Sequence, residues 1–350
     1  MNVARINYIN IGLMLISCVI AFIVPFELFL FSYAVLGPLH YLTEISWLHK
    51  RQYFSPKRND WILLSILTVV IVFPGIFGYA YLEAGPKDTA GNPIITPAIS
   101  DLLGFFYDIN PAVMFLAFSA SLILILVKRN SYRIVSFILL FVVGYLIRTQ
   151  DFSIIIFTIF LPTLVHVFLF TGAFILVGAL KSNSSSGMLS ILVFIGCAVS
   201  FFFILPNGAG YQISEYAKQS YEVSFRSLNE QIFRSFLQEN NPGEASIYYS
   251  STGILITRFI AYAYTYHYLN WFSKTSIIKW HEVARPQLIA IFALWILAVV
   301  LYATNYKTGL MALYFLSFLH VVLEFPLNFQ SFRQIGQEVG NRLGLRKSSA

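Results

Sequence analysis

The chain is dominated by a recurring apolar run of bilayer-spanning length. About ten such runs can be marked, near residues 8–24, 26–48, 61–82, 111–127, 134–147, 152–180, 188–205, 252–272, 287–304 and 309–327. A helix crosses the hydrocarbon core with about 20 predominantly apolar residues. Few folds other than a polytopic helical bundle accommodate that pattern. Charge agrees: 57% of the residues are hydrophobic and only 11% charged, against about 25% charged in an ordinary soluble domain. The expected fold class is therefore all-α: one integral membrane domain over residues 1–350, with about ten spans. The first run has a weak basic start and no small-residue cleavage site. It is read as a retained span, not a cleaved leader.

The basic residues fall between the runs. Arg5, Lys50, Arg51, Lys57, Arg58, Lys128, Arg129, Arg133, Lys181, Lys274, Lys279, Arg285, Arg333, Arg342, Arg346 and Lys347 occupy one set of connections. Lys87, Arg148, Lys218, Arg226, Arg234 and Lys307 occupy the alternate set. The positive-inside rule puts the larger set, and both termini, in the cytoplasm. The net charge of +7 thus belongs to topology and gives no reason to expect a nucleic-acid partner. Residues 83–110, rich in turn formers, read as an outer loop. Residues 206–250 carry Ile213, Tyr216, Tyr221, Phe225, Leu228 and Ile232 at helical spacing. They predict an extracytoplasmic amphipathic helix. Residues 181–187 read as a linker and 333–350 as a basic cytoplasmic tail. The sequence carries no signal of oligomeric state.

Two cysteines, Cys18 and Cys197, both inside apolar runs, offer neither a disulfide framework nor a thiolate metal site. Four histidines lie within spans: His40, His166, His267 and His320. Two more, His49 and His281, read as connection residues. Ionisable groups inside a membrane are costly and are functional candidates by default. Counted from the span ends, His40, His267 and His320 lie about five to eight residues in, roughly 8–12 Å at 1.5 Å per residue. His166 joins them if its long span protrudes by about two turns.

Two stretches, "LHYLTEISW" and "LHVVLEFPLN", share Leu-His-x-x-x-Glu. The i,i+4 spacing puts His40 with Glu44, and His320 with Glu324, on one helix face each. Neutral imidazoles bind iron, zinc or copper. A carboxylate beside them ligates or fixes an imidazole tautomer. Iron is the first expectation, with zinc or copper as alternatives. The bland readings stand beside this one: a histidine in a span also serves as an interhelical hydrogen-bonding group, and the glutamates can snorkel to the interface. There is no H-E-x-x-H motif, no Walker A motif, no paired Asp-rich boxes and no multi-histidine desaturase pattern.

The arrangement resembles the Brp/Blh family of bacterial β-carotene-cleaving dioxygenases. The family's early Pro-His-x-x-x-Asp is similar to Pro38, Leu39 and His40 with Glu44, with one residue inserted and Glu for Asp. Its next histidine resembles His166 in "LVHVF". Its aromatic-rich His-x-x-x-His-Phe resembles "YAYTYHYLNWF", where His267 matches and Trp271 stands at the second histidine. Its late Pro-His-x-x-x-Asp-Phe resembles His320 with Glu324 and Phe325. The resemblance implies a multi-pass protein of the bacterial inner membrane with histidine-bound non-haem iron, oxidising or cleaving an apolar isoprenoid, carotenoid or lipid. His40, His166, His267 and His320 would hold the metal. Glu44 and Glu324 would ligate or orient, acting as catalytic carboxylates. Tyr262, Tyr264, Tyr266, Asn270, Trp271, Phe315 and Phe318 would contact substrate entering from the bilayer. The rival expectations are a transporter or channel with a buried His/Glu proton or ion path, and a bis-histidine haem electron carrier.

Overall fold

The computed structural model describes residues 3–204, 211–274 and 283–344. His281 lies outside them, as does the end of the basic tail. The described residues are helical, with no strand beyond one isolated bridge between Lys87 and Pro93. The principal helices are α1 (Val3–Ile23), α2 (Pro25–Lys50), α3 (Asp60–Ala84), α4 (Pro97–Leu126), α5 (Asn130–Ile147), α6 (Asp151–Ser182), α7 (Ser185–Phe203), α8 (Glu215–Glu222), α9 (Arg226–Ile232), α10 (Ser251–Ser273), α11 (Arg285–Thr304) and α12 (Tyr306–Arg342). Among them, nine are long and apolar enough to cross a membrane.

The helix missing from that nine is α10, and its composition explains why. It carries Thr257, Arg258, Thr265, His267 and Asn270, all buried, along with four buried tyrosines. A helix buried on every side needs internal partners for such groups. Ser32 and Thr265 hydroxyls meet at 2.7 Å, Tyr262 donates to the Phe194 carbonyl at 3.1 Å, and Tyr266 donates to Asn10 Oδ1 at 3.2 Å. Ser250 caps the first turn by accepting from the Gly253 N–H.

Two compact units divide the chain. The first comprises Met1–Thr43, Thr163–Lys307 and Gln330–Ala350. Here α1, α7 and the start of α2 pack around α10. Of the segment 206–250, the described residues 211–250 do not form the single amphipathic helix expected. α8 and α9 are separate, with a turn at 223–225 between them. Their apolar side chains pack on protein: the Tyr221 ring meets Phe26 at 4.9 Å and Phe29 at 5.8 Å. Tyr216, by contrast, is exposed. The linker expected over 181–187 contracts to two residues, because Asn183 takes a left-handed conformation and Ser184 caps α7.

The second unit comprises Glu44–Pro162 and Thr308–Phe329. Its helices α3, α4 and α5 pack in sequence. The span expected to begin at 111 begins at Pro97 instead, so residues 97–110 are helix and not loop. Thr96 accepts from the Ile99 N–H, and Pro97 takes the first helical position, where a missing N–H costs nothing. Arg133, counted above as a cytoplasmic loop charge, turns inward. Its guanidinium meets Asp60 Oδ1 at 2.7 Å and donates to the Val127 and Leu124 carbonyls. Ser55 also donates to Asp60. α5 buries few of its residues and leaves Ile138, Leu139 and Leu146 exposed, as a helix facing lipid must.

Candidate metal centre

His40 sits in α2 just past a π-helical turn at Ser32–Leu36. His166 lies within a longer π-helical stretch of α6, Ile154–Phe170, that contains Pro162. His267 projects from the buried column α10, and His320 lies in α12. All four are buried, and within the first unit one ligand nitrogen from each of His40, His166 and His267 can be taken so that the three lie within 4.8 Å of one another.

The three histidines of the first unit show how the set is built. His267 is the middle ring. Its centroid is 4.7 Å from that of His40 and 4.8 Å from that of His166, both edge to face. The Nε2 atoms of His40 and His267 are 3.1 Å apart. On the other side of the ring, His267 Nδ1 is 2.8 Å from Thr171 Oγ1. Tyr268 and Trp271 close the surroundings, their rings 5.0 and 5.7 Å from His40. Trp271, which stands where the resemblance expects a histidine, donates its indole N–H to Thr43 Oγ1 at 2.9 Å.

These dimensions suit a transition-metal ion. His40 Nε2 and His267 Nε2, 3.1 Å apart, are close enough to bind one ion together at metal–nitrogen distances of about 2.1 Å. The donors are chemically apt, because a neutral imidazole offers a lone pair without a charge to bury.

Glu44 and Glu324, one turn beyond His40 and His320 on their helices, are both only 2% exposed. That places them inside the protein and not at a snorkelling position. The other residues singled out from sequence are spread more widely. Tyr262 and Tyr266 turn their hydroxyls to Phe194 and Asn10. Tyr264 packs on Phe29 and Tyr33. Asn270 is buried a turn beyond Tyr266, 3.5 Å from its hydroxyl. Phe318 packs on Tyr314, and Phe315 is half-buried. His49 bonds to Tyr53 at 3.0 Å, consistent with a connection residue. Arg258 donates to the carbonyls of Phe22 and Ile204 and lies over the Phe22 ring.

Thr171, Thr43 and Tyr268 were not singled out from sequence. Tyr268 follows His267 directly, and a search by i,i+4 spacing passes over it. Gly37 admits it: a Cβ at that position would lie 3.2 Å from the Tyr268 hydroxyl oxygen.

No family model matches this chain, and no curated protein or solved structure does either. The chain is a multi-pass helical membrane protein whose first unit holds a buried cluster of three histidines able to bind a metal ion.

Proposed function

We propose that the chain is a membrane non-haem iron oxygenase acting on an apolar isoprenoid, carotenoid or lipid. The carrying observation is the 3.1 Å approach of His40 Nε2 to His267 Nε2 within a buried cluster that also holds His166. A ligand set of histidines leaves coordination positions open for a small molecule such as O₂. The edge-to-face packing of His40, His166 and His267 leaves no slot for a macrocycle, which argues against haem. Glu44 and Glu324, one turn along from two of the ligands, would orient imidazoles or complete the coordination. In this reading both termini and the basic connections lie on the cytoplasmic side of a bacterial inner membrane, and α8 and α9 on the other.

An apolar substrate is supported by a half-open cavity of about 250 Å³ in the first unit. Leu30, Ala34, Val35, Tyr302 and Tyr306 are among its lining residues, and hardly a polar atom is exposed within it. Its walls are other residues than Tyr262, Tyr264, Tyr266, Phe315 and Phe318. Val35 precedes His40 by five residues, about 7.5 Å along the helix axis. An apolar chain already dissolved in the bilayer reaches such a cavity without crossing water.

The test is to load pure protein with Fe²⁺ and follow O₂ uptake with β-carotene and with a saturated phospholipid. Uptake with the polyene, accompanied by a carbonyl product, is expected. Failure of every apolar substrate with iron bound would leave a metalloprotein without this activity.

A further inference from the structure

Thr171 is the first residue after the π-helical stretch Ile154–Phe170. It is buried, and its hydroxyl meets a nitrogen of a candidate ligand. We propose that Thr171 is the positioning residue that engages Nδ1 of His267, and so leaves Nε2 as the nitrogen that histidine presents to a metal. The inference rests on the metal reading and sharpens it.

A neutral imidazole has one N–H donor and one acceptor nitrogen. His267 has a partner at each: Thr171 Oγ1 at 2.8 Å from Nδ1, and His40 Nε2 at 3.1 Å from Nε2. Only two arrangements satisfy both contacts. In one, the Thr171 hydroxyl donates to Nδ1, and the Nε2 proton points at His40. In the other, Nδ1–H donates to the threonine oxygen, and the Nε2 lone pair faces His40 and the centre of the cluster. Only the second can bind a metal through Nε2. The ring carries one proton in both, so switching costs it no charge in an apolar interior. The two arrangements differ in which ring nitrogen carries the single proton and in the rotation of the threonine hydroxyl about its C–O bond. A threonine is suited to this because its oxygen both donates and accepts. A carboxylate there would hold Nδ1–H permanently and bury a charge.

The backbone supplies the placement. Five residues separate His166 from Thr171. On an α-helix of 3.6 residues per turn they would stand about 140° apart. The i→i+5 bonding of a π-helix winds nearly one more residue into each turn. That brings residues five apart towards a common face. One element then presents both a candidate ligand, His166, and the group that orients another, His267. Both residues of this element meet the His267 ring, at 4.8 Å between ring centroids and 2.8 Å to the hydroxyl.

The experiment uses the full chain in detergent, with Co²⁺ as the probe metal. Thr171→Val keeps the shape and removes the hydroxyl. Thr171→Ser keeps the hydroxyl. The valine variant should bind Co²⁺ about 10–100-fold more weakly, as lost orienting contacts do, and its d–d spectrum should change. The serine variant should stay within about threefold of the parent, by the same reasoning. Equal affinity and spectra for parent and valine variant would overturn the proposal while leaving the metal site intact. Equal losses in valine and serine variants would also overturn it, by showing a packing role. A parent that binds no Co²⁺ would remove the metal reading and this inference together. A second readout does not depend on the valine variant folding. In zinc-loaded protein with ¹⁵N-labelled histidine, the resonance that moves in Thr171→Ser should show a protonated Nδ1 and a metal-bound Nε2. A metal-bound Nδ1 would contradict the assignment.

Discussion

His40 and His267, 227 residues apart in the chain, bring their Nε2 atoms to 3.1 Å deep inside the protein. Two such nitrogens must share a proton or a metal, since facing lone pairs in an apolar interior repel and go unsatisfied. Removing either ring should therefore be felt at the metal. His40→Ala and His267→Ala are each expected to lower metal occupancy by about tenfold or more, on the scale of losses around metal centres. Metal content per chain after dialysis against a weak chelator measures this.

Glu44 and Glu324 give a graded version of the same test. Each is buried one turn from a histidine of the candidate centre. Glu44→Gln and Glu324→Gln keep the shape and remove the carboxylate, and each should reduce metal affinity by about tenfold. Titration with Fe²⁺ under nitrogen reads the change. Unaltered affinity in both would assign the glutamates a purely structural part.

The buried pair of Arg133 with Asp60 makes a prediction independent of the metal. The guanidinium also donates to two backbone carbonyls. Removing one partner strands a buried charge, at a cost of about 3–5 kcal/mol. Asp60→Leu should thus unfold at markedly lower temperature than the parent. The double variant with Arg133→Met should regain much of the loss, because no bare charge remains. A double variant no better than the single would show that the carbonyl contacts of Arg133 matter more than the pair.

Gly37 tests how tightly the surroundings of His40 are packed. Its absent side chain makes room for Tyr268, whose ring lies against both His40 and His267. Overpacking typically costs about 1–3 kcal/mol, whereas valine regains only a few tenths of a kcal/mol of helix propensity over glycine. Gly37→Val should be net destabilising, and it should perturb the spectrum of bound Co²⁺ by displacing Tyr268. Thermal unfolding and absorption on the same sample check both halves.

Much of the site was legible because the membrane makes polar residues conspicuous. His40, His166, His267 and His320 stand out in apolar runs, and the first unit brings His40, His166 and His267 together. Thr171 was not legible. Threonine is ordinary inside a span, and α-helical spacing sets it well away from His166; only the π-helical winding reveals the relationship. The helical start at Pro97 was hidden by the turn-forming composition before and after it, although a Thr-Pro pair is a recognisable helix opening. The last span was ended near 327 because Pro326 and polar residues follow. α12 instead continues to Arg342, since a proline within a long, well-packed helix need not end it. The break between α8 and α9 was invisible to an amphipathic pattern that continues in phase across it.

The central claim, a metal held by the buried histidines around His267, is tested most directly by elemental analysis of the full chain purified without added chelator. The account predicts about one iron ion per chain, no Soret absorption, and loss of that iron in His267→Ala with the protein still folded. Pure, folded protein with no stoichiometric transition metal, even after anaerobic loading with Fe²⁺, would contradict it.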